Sequence, residues 1–193
     1  MYPCDISSRY MELSKTAYVI LGMLRLGKRT GYEIKSLVDV STRFFWAASY
    51  GQIYPELARL EEAGVIRGEP DTSDGRRRRA YELTEAGEAA LHRWLVSPEP
   101  LHMELRHEGG LKLFFADALP AAERAEPLRQ MREAHELVLD QLRALVPTEE
   151  ESAEPSSARL CLEWGIALQE FMIDWCSEAE RRLAAREAAG KGA

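Results

Sequence analysis

SYGQIYPELARLEEAG, residues 49–64, reads as one short helix with a polar, aromatic leading end and an apolar trailing face. Ser49 and Gln52 have capping-box spacing, in which each side chain can satisfy the other residue's free backbone N–H. Ile53, Leu57 and Leu60 recur at i, i+4 and i+7 and share one face that must be buried. Gly64 ends the helix, because glycine takes the left-handed conformation cheaply. Pro55 falls inside the pattern and removes the backbone bond to Gly51, so the first turn is expected to be irregular. Tyr50, Gln52, Tyr54 and Arg59 remain for the outer surface. Beside a bare Gly51 they suit a helix whose start presses against hydrogen-bonding edges and phosphates. The plainer alternative is a core helix with a few surface tyrosines.

Outward from this helix, the preceding residues supply two more. Leu13–Leu26 is capped by Ser14, with Tyr18, Leu21, Met23, Leu24 and Leu26 apolar. Thr30-Gly31-Tyr32-Glu33 is a second capping box, opening a helix with Ile34, Leu37 and Val38. Phe44, Phe45 and Trp46 form an aromatic knot expected to pack under the third helix. After Gly64 the period changes. Val65–Arg67 and Arg79–Leu83 read as short strands, separated by the turn signal Asp71-Thr72-Ser73-Asp74-Gly75. Arg76-Arg77-Arg78-Arg79 leads into the second strand. Helix, helix, helix, hairpin is the order of a winged helix-turn-helix, whose third helix enters the major groove. Arginine suits phosphate forks and narrow minor grooves. A fourth helix starts at Thr84-Glu85-Ala86-Gly87, with Ala90, Leu91, Trp94 and Leu95 inward.

Ser97-Pro98-Glu99-Pro100 is the expected domain boundary. Leu111–Phe115 lies on another helix, with Gly109-Gly110 as a start or weak point, and Pro120 opens a longer helical stretch. Leu128, Met131, His135, Val138, Leu142 and Leu145 are spaced 3, 4, 3, 4, 3, a short heptad seam. His135 reads as a hydrogen-bonded residue that fixes register rather than as a metal ligand. The last helix runs from about Ala158 to the late 180s. Leu160, Trp164, Leu168, Phe171 and Trp175 form one apolar stripe on it, with further apolar residues on other sides. Such a helix needs cover both from its own subunit and from another surface.

Bulk properties agree with two modules. The chain of 193 residues carries a net charge of −7. Residues 1–96 hold 14 Lys/Arg against 13 Asp/Glu, and residues 97–193 hold 11 against 19. Cys4, Cys161 and Cys176 form neither a metal motif nor a disulfide framework, so a reduced, cytoplasmic setting is expected. There is no apolar run long enough to span a membrane and no secretion signal. Met11 is an alternative start to Met1. No cofactor and no metal site is expected. Catalysis finds no nucleophile–base pair among the histidines at 92, 102, 107 and 135, and Glu104 and Glu108 read as a solvated helix face.

The chain resembles the PadR family of bacterial transcriptional regulators. The resemblance rests on Tyr18–Leu24, Gly31-Tyr32-Glu33-Ile34, Trp46, Ser49–Leu57, Leu60-Glu61, Gly64-Val65-Ile66 and Arg79–Gly87, with Leu111–Phe115 similar to the entry of the family's C-terminal domain. GQIYPEL is the most specific string. The C-terminal half resembles the larger members. The resemblance implies a homodimer that represses a nearby operon and is released by a small molecule. Members answer to phenolic acids, antibiotics and other signals, and no effector motif is visible here. The alternative is an effector-independent DNA-binding or protein-interaction regulator, with a helical enzyme as the remote one.

The expected fold is mainly α: an N-terminal winged helix-turn-helix with a two-stranded wing, and a C-terminal all-helical dimerisation domain. The expected divisions are 1–12 as an extension, 13–97 for DNA binding, 101–189 for dimerisation and effector binding, and 190–193 as a tail. The expected DNA-contacting set is Lys35, Ser49, Tyr50, Gly51, Gln52, Tyr54, Pro55, Arg59 and Arg76, Arg77, Arg78 and Arg79, on a palindromic double-stranded operator. The expected dimer contacts are Val138, Leu142, Trp164, Leu168, Phe171 and Trp175. A pocket for a small aromatic or hydrophobic effector is expected where Phe114, Phe115, Trp164 and Trp175 approach each other.

Overall fold

The computed structural model describes residues 13–71, 78–101, 103, 105–146 and 156–190. Expectations for the N-terminal extension, the hairpin tip with Arg76 and Arg77, and residues 191–193 of the tail fall outside them. The chain divides into two compact units, residues 1–100 and 101–193.

In the first unit, side-chain caps set where each helix begins. Ser14 accepts from the Ala17 N–H at 3.0 Å and starts α1, Lys15–Arg25. Thr30 and Glu33 close a reciprocal capping box at α2, Gly31–Val40. The Glu33 carboxylate accepts from the Thr30 and Arg29 backbone N–H groups. These bonds, the one from the Thr30 backbone first, hold its pKa below the usual glutamate value. The third helix, α3, spans Tyr50–Glu62. Gly64 follows with φ of 70°, the left-handed stop that the sequence calls for.

Strands β1 (Ile66–Asp71) and β2 (Arg78–Leu83) pair antiparallel, from Ile66 opposite Leu83 to Asp71 opposite Arg78. The inner edge of β2 touches the start of α2: Thr30 bridges Ala80, and the Tyr81 N–H donates to the Arg29 carbonyl at 2.7 Å. Thr84 caps α4, Glu85–Leu95. Gly87 lets α4 lie against the strand, since a Cβ there would sit 2.2 Å from the Val65 carbonyl oxygen. Ile20, Leu21, Ile34, Val38, Ile53, Leu57 and Leu60 fill the core between α1, α2 and α3.

Three expectations in this unit are corrected. The helix with Pro55 is continuous from Tyr50, because the backbone bond lost lies near a helix end on the solvent side. The aromatic knot is not core: Phe45 and Trp46 are exposed, and small Ala48 is buried instead. A 3-10 turn at Thr42–Phe44 carries the aromatics outward. Leu95 is exposed too, and Trp94 covers Tyr18 in a parallel stack with centroids 4.5 Å apart.

In the second unit, α5 spans Glu108–Phe114, α6 Glu126–Arg143 and α7 Ser157–Gly190. Pro120 opens only a 3-10 turn, and α6 begins six residues later with Pro127 in its first turn, where a missing N–H costs nothing. Arg132 pairs with Glu180 at 3.2 Å, and Arg143 with Glu170 at 2.9 Å. Later residues of α6 thus meet earlier residues of α7, so the two helices are antiparallel. Leu128, Met131 and Cys176 form their shared core. His135 hydrogen-bonds through Nδ1 to Gln169 Oε1 at 2.6 Å. Gln169 is 9% exposed, so this bond satisfies a buried amide and fixes the register of α6 on α7.

Candidate nucleic-acid interface

Helix α3 buries Ile53, Glu56, Leu57 and Leu60. At 100° per residue, the opposite side carries Gly51, Pro55 and Ala58, all exposed. From Gly51 to Ala58 this ridge carries no long side chain, so another surface can approach the helix backbone there; exposed Glu62 continues the ridge at the far end. A Cβ at Gly51 would meet nothing closer than 3.8 Å, so internal packing does not require glycine there. Ala58 completes the ridge and is missing from the sequence-based set. Its signal was available in the spacing of small residues at 51, 55 and 58.

Functional groups flank that ridge. Tyr50 and Tyr54 stand one turn apart with rings 6.0 Å apart and 18° from parallel. The Tyr54 ring also rests on Gly31, where a Cβ would sit 2.7 Å from it. Packing on α2 therefore aims Tyr54 while leaving it half exposed. Gln52 is folded back on the cap, its Oε1 accepting from the Ser49 N–H at 2.9 Å and from the Ser49 hydroxyl at 3.1 Å. Arg59 is exposed and pairs with Glu56 at 3.0 Å. Glu56 also accepts from the Ser14 hydroxyl at 2.7 Å, so the cap of α1 and the guanidinium of α3 share one carboxylate.

Two basic residues of the expected set are tied to acidic partners in the fold. The Lys35 side chain is 15% exposed, its ammonium paired with Asp39 and 5.4 Å from the Tyr50 ring centroid. It props Tyr50 rather than standing on the outer ridge. Arg79 donates to Glu61 on α3, and this bond holds the Glu61 carboxyl below its ordinary pKa. Glu61 accepts from the Gly68 N–H as well, so Arg79 braces the wing against α3. Arg78 opens β2 opposite Asp71. Among the described residues no cluster of His, Cys, Asp and Glu could hold a metal ion, and no helix is long and apolar enough to cross a membrane.

In the second unit, Leu160, Trp164, Leu168, Phe171 and Trp175 are all exposed, between 43% and 61% for the first four and 42% for Trp175. Val138 is half-buried. Leu142 is only 3% exposed, and Leu142 Cδ1 lies 3.3 Å from where a Gly165 Cβ would be. That contact takes Leu142 out of a partner's reach and corrects its expected role: Leu128, Met131, His135 and Leu142 of the heptad seam all meet α7 of the same chain. Of the expected effector-pocket residues, the structure brings Phe114 and Phe115 together. Trp164 and Trp175 lie about 16 Å apart along α7, too far to close on one flat molecule. Phe114 and Phe115 form an exposed edge-to-face pair with centroids 5.1 Å apart. Phe115 lines an open depression with Leu111, Leu119, Pro127, Lys112, Glu126 and Gln130.

Comparison with known proteins matches this architecture in both halves. Residues 20–93 match the transcriptional regulator PadR-like family, and residues 105–184 the virulence activator alpha C-terminal family. The negative transcriptional regulator PadR of Bacillus subtilis is 33% identical over 142 residues, covering 72% of this chain and 78% of that protein. The crystal structure of Bacillus subtilis PadR in complex with operator DNA is similar with a TM-score of 0.76 and 26% identity, over 86% of this chain and 98% of that one. The structure of the same protein in complex with p-coumaric acid has a TM-score of 0.71 at 26% identity, over 87% and 98%. These relatives are regulators and not enzymes. The chain belongs to the PadR-like family of transcriptional regulators.

Proposed function

We propose that this regulator is a cytoplasmic homodimeric repressor that binds a palindromic operator beside its target genes and leaves it when a small aromatic or hydrophobic molecule binds. The observation that carries DNA recognition is the outer face of α3: a bare Gly51-Pro55-Ala58 ridge flanked by Tyr50, Gln52, Tyr54 and Arg59. Base edges would be met by the first turns of α3, and phosphates by wing arginines among Arg76, Arg77 and Arg78, with Arg79 bracing the wing and Lys35 supporting Tyr50. Repression is supported by the Bacillus subtilis relative, a negative transcriptional regulator. Dimerisation is supported by the exposed stripe Trp164, Leu168, Phe171 and Trp175, extended by Leu160; half-buried Val138 on α6 is the further proposed contact. Two-fold symmetry would set the two recognition helices about 34 Å apart, one turn of DNA.

An effector is supported by the p-coumaric acid complex of that relative and by the apolar depression around Phe115. Phe114 stands against Phe115 with ring centroids 5.1 Å apart, and Trp164 and Trp175 on α7 complete the proposed set. Release requires that the ligand prefer one dimer geometry over another. Genome-wide mapping of bound DNA, with transcript levels in a strain lacking the protein, tests the reading. The expected result is inverted-repeat sites and increased transcription of the adjacent genes. Absence of repeat sites, or adjacent transcripts that fall, would sink it.

A further inference from the structure

Gln52 is the one residue on the outer face of α3 whose hydrogen-bonding polarity the fold itself fixes. The Ser49 backbone N–H can only donate, so the atom facing it at 2.9 Å must be the amide oxygen of Gln52. The Ser49 hydroxyl donates to the same oxygen at 3.1 Å. A carbonyl oxygen has two lone pairs, and both are engaged. What Gln52 offers outward is its NH2 group, a donor alone. Bidentate reading of adenine needs the opposite arrangement, since the amide must accept from the base N6 group while donating to N7. Guanine presents O6 and N7, two acceptors and no donor, on the same edge.

We infer that Ser49 is a positioning residue which makes Gln52 a one-way donor, so that Gln52 reads guanine in the major groove and not adenine. This rests on the proposed operator binding by α3. Ser49 contributes through the amide it orients. With the hydroxyl removed and the backbone N–H kept, one lone pair of Gln52 is released and adenine becomes readable.

The test is selection of duplexes from a random pool by the full-length protein, followed by affinities on the selected sequence and its single-base variants. The wild type should prefer guanine over adenine by about tenfold or more at one position per half-site, and Gln52→Ala should erase that preference. Ser49→Gly keeps a residue that caps helices well, and should move the preference at that position toward adenine. Ser49→Thr restores a hydroxyl and should restore guanine. Thermal melts of each variant separate lost folding from lost reading. Adenine at the Gln52-dependent position in the wild type overturns the inference, as does an unchanged preference in Ser49→Gly. A Gln52→Ala variant that binds every sequence equally more weakly also overturns it, since that is the mark of a phosphate contact. If the wild type selects no sequence at all, operator binding itself is refuted, a result distinct from the others.

Discussion

If the proposed dimer forms through α7, replacing Trp164 and Phe171 together by glutamate should leave a monomer without unfolding the chain. Both lie on the exposed stripe of α7, 54% and 61% exposed in the single subunit. Aromatic side chains bury about 150–250 Å² when covered, so each of these has roughly 100 Å² left for a partner. Two residues from each of two protomers give on the order of 400 Å², worth about 10 kcal/mol of gross apolar burial. Association costs cancel much of that. If only about 4 kcal/mol is realised, dissociation still strengthens about 1,000-fold. Sedimentation velocity at micromolar concentration should then show a dimer for the wild type and a monomer of unchanged helicity for the variant. The contrast is Leu142→Ala on the internal face, which should lower stability by about 2–5 kcal/mol yet leave a dimer wherever the protein is folded. A Trp164→Glu, Phe171→Glu protein that still sediments as a dimer would place the interface elsewhere and refute the reasoning.

Gly87→Ala should lower the melting temperature by several degrees, because its Cβ meets the Val65 carbonyl oxygen and the backbone must shift, at a cost of about 1–3 kcal/mol; an unchanged melt would mean that α4 moves away freely. Glu33→Gln should be destabilising at neutral pH, with the deficit shrinking on acidification. The folded pKa of Glu33 lies below its unfolded value, so its contribution is complete above the ordinary carboxylate range and is lost as pH falls through the lowered one; a deficit that persists in acid contradicts the cap's charge. His135→Ala should cost about 1–3 kcal/mol in urea denaturation by leaving the buried Gln169 oxygen without its donor. Equal stability of mutant and wild type would show that another group satisfies Gln169.

The parts legible in the sequence are those decided within a few residues. Ser14, the Thr30–Glu33 box, the Ser49–Gln52 spacing, Gly64 and Thr84 fix helix ends through local hydrogen bonds, and the change of period after Gly64 marks the hairpin. Periodicity shows which residues share a face, but not what covers it. Leu142 and Trp164 both lie on apolar stripes. The first is covered by α7 of its own chain and the second is exposed, a difference that depends on how α6 and α7 pair. The aromatic knot fails for a related reason: bulk alone does not say whether Phe45 and Trp46 point at the core, and a 3-10 turn aims them away. The Lys35–Asp39 pair has i,i+4 spacing and was legible on α2, whereas the Arg79–Glu61 pair joins residues 18 apart in the sequence on different elements and carries no local signal.

The Arg79–Glu61 bond bears on how a signal could reach DNA. Glu61 sits in the last turn of α3 and accepts from both Arg79 on β2 and the Gly68 N–H on β1. The start of α2 is bridged to β2 through Thr30 and Ala80, and Tyr54 of α3 rests on Gly31 of α2. Helix α2, α3 and both strands are thus tied in a closed ring of contacts. Bending the wing away from α3 would break an ion pair and a backbone hydrogen bond together. A proline in α3 does not loosen this ring, because Pro55 lies on the opposite face from Leu57 and Leu60. The outer face of α3 and the wing are therefore tied into one piece, and on the proposed reading two such pieces would be regulated by changing the distance between them. A ligand that acted through residues 101–193 would lower operator affinity by respacing two intact winged helices. Its effect on binding to an isolated half-site would be small beside its effect on the full palindrome.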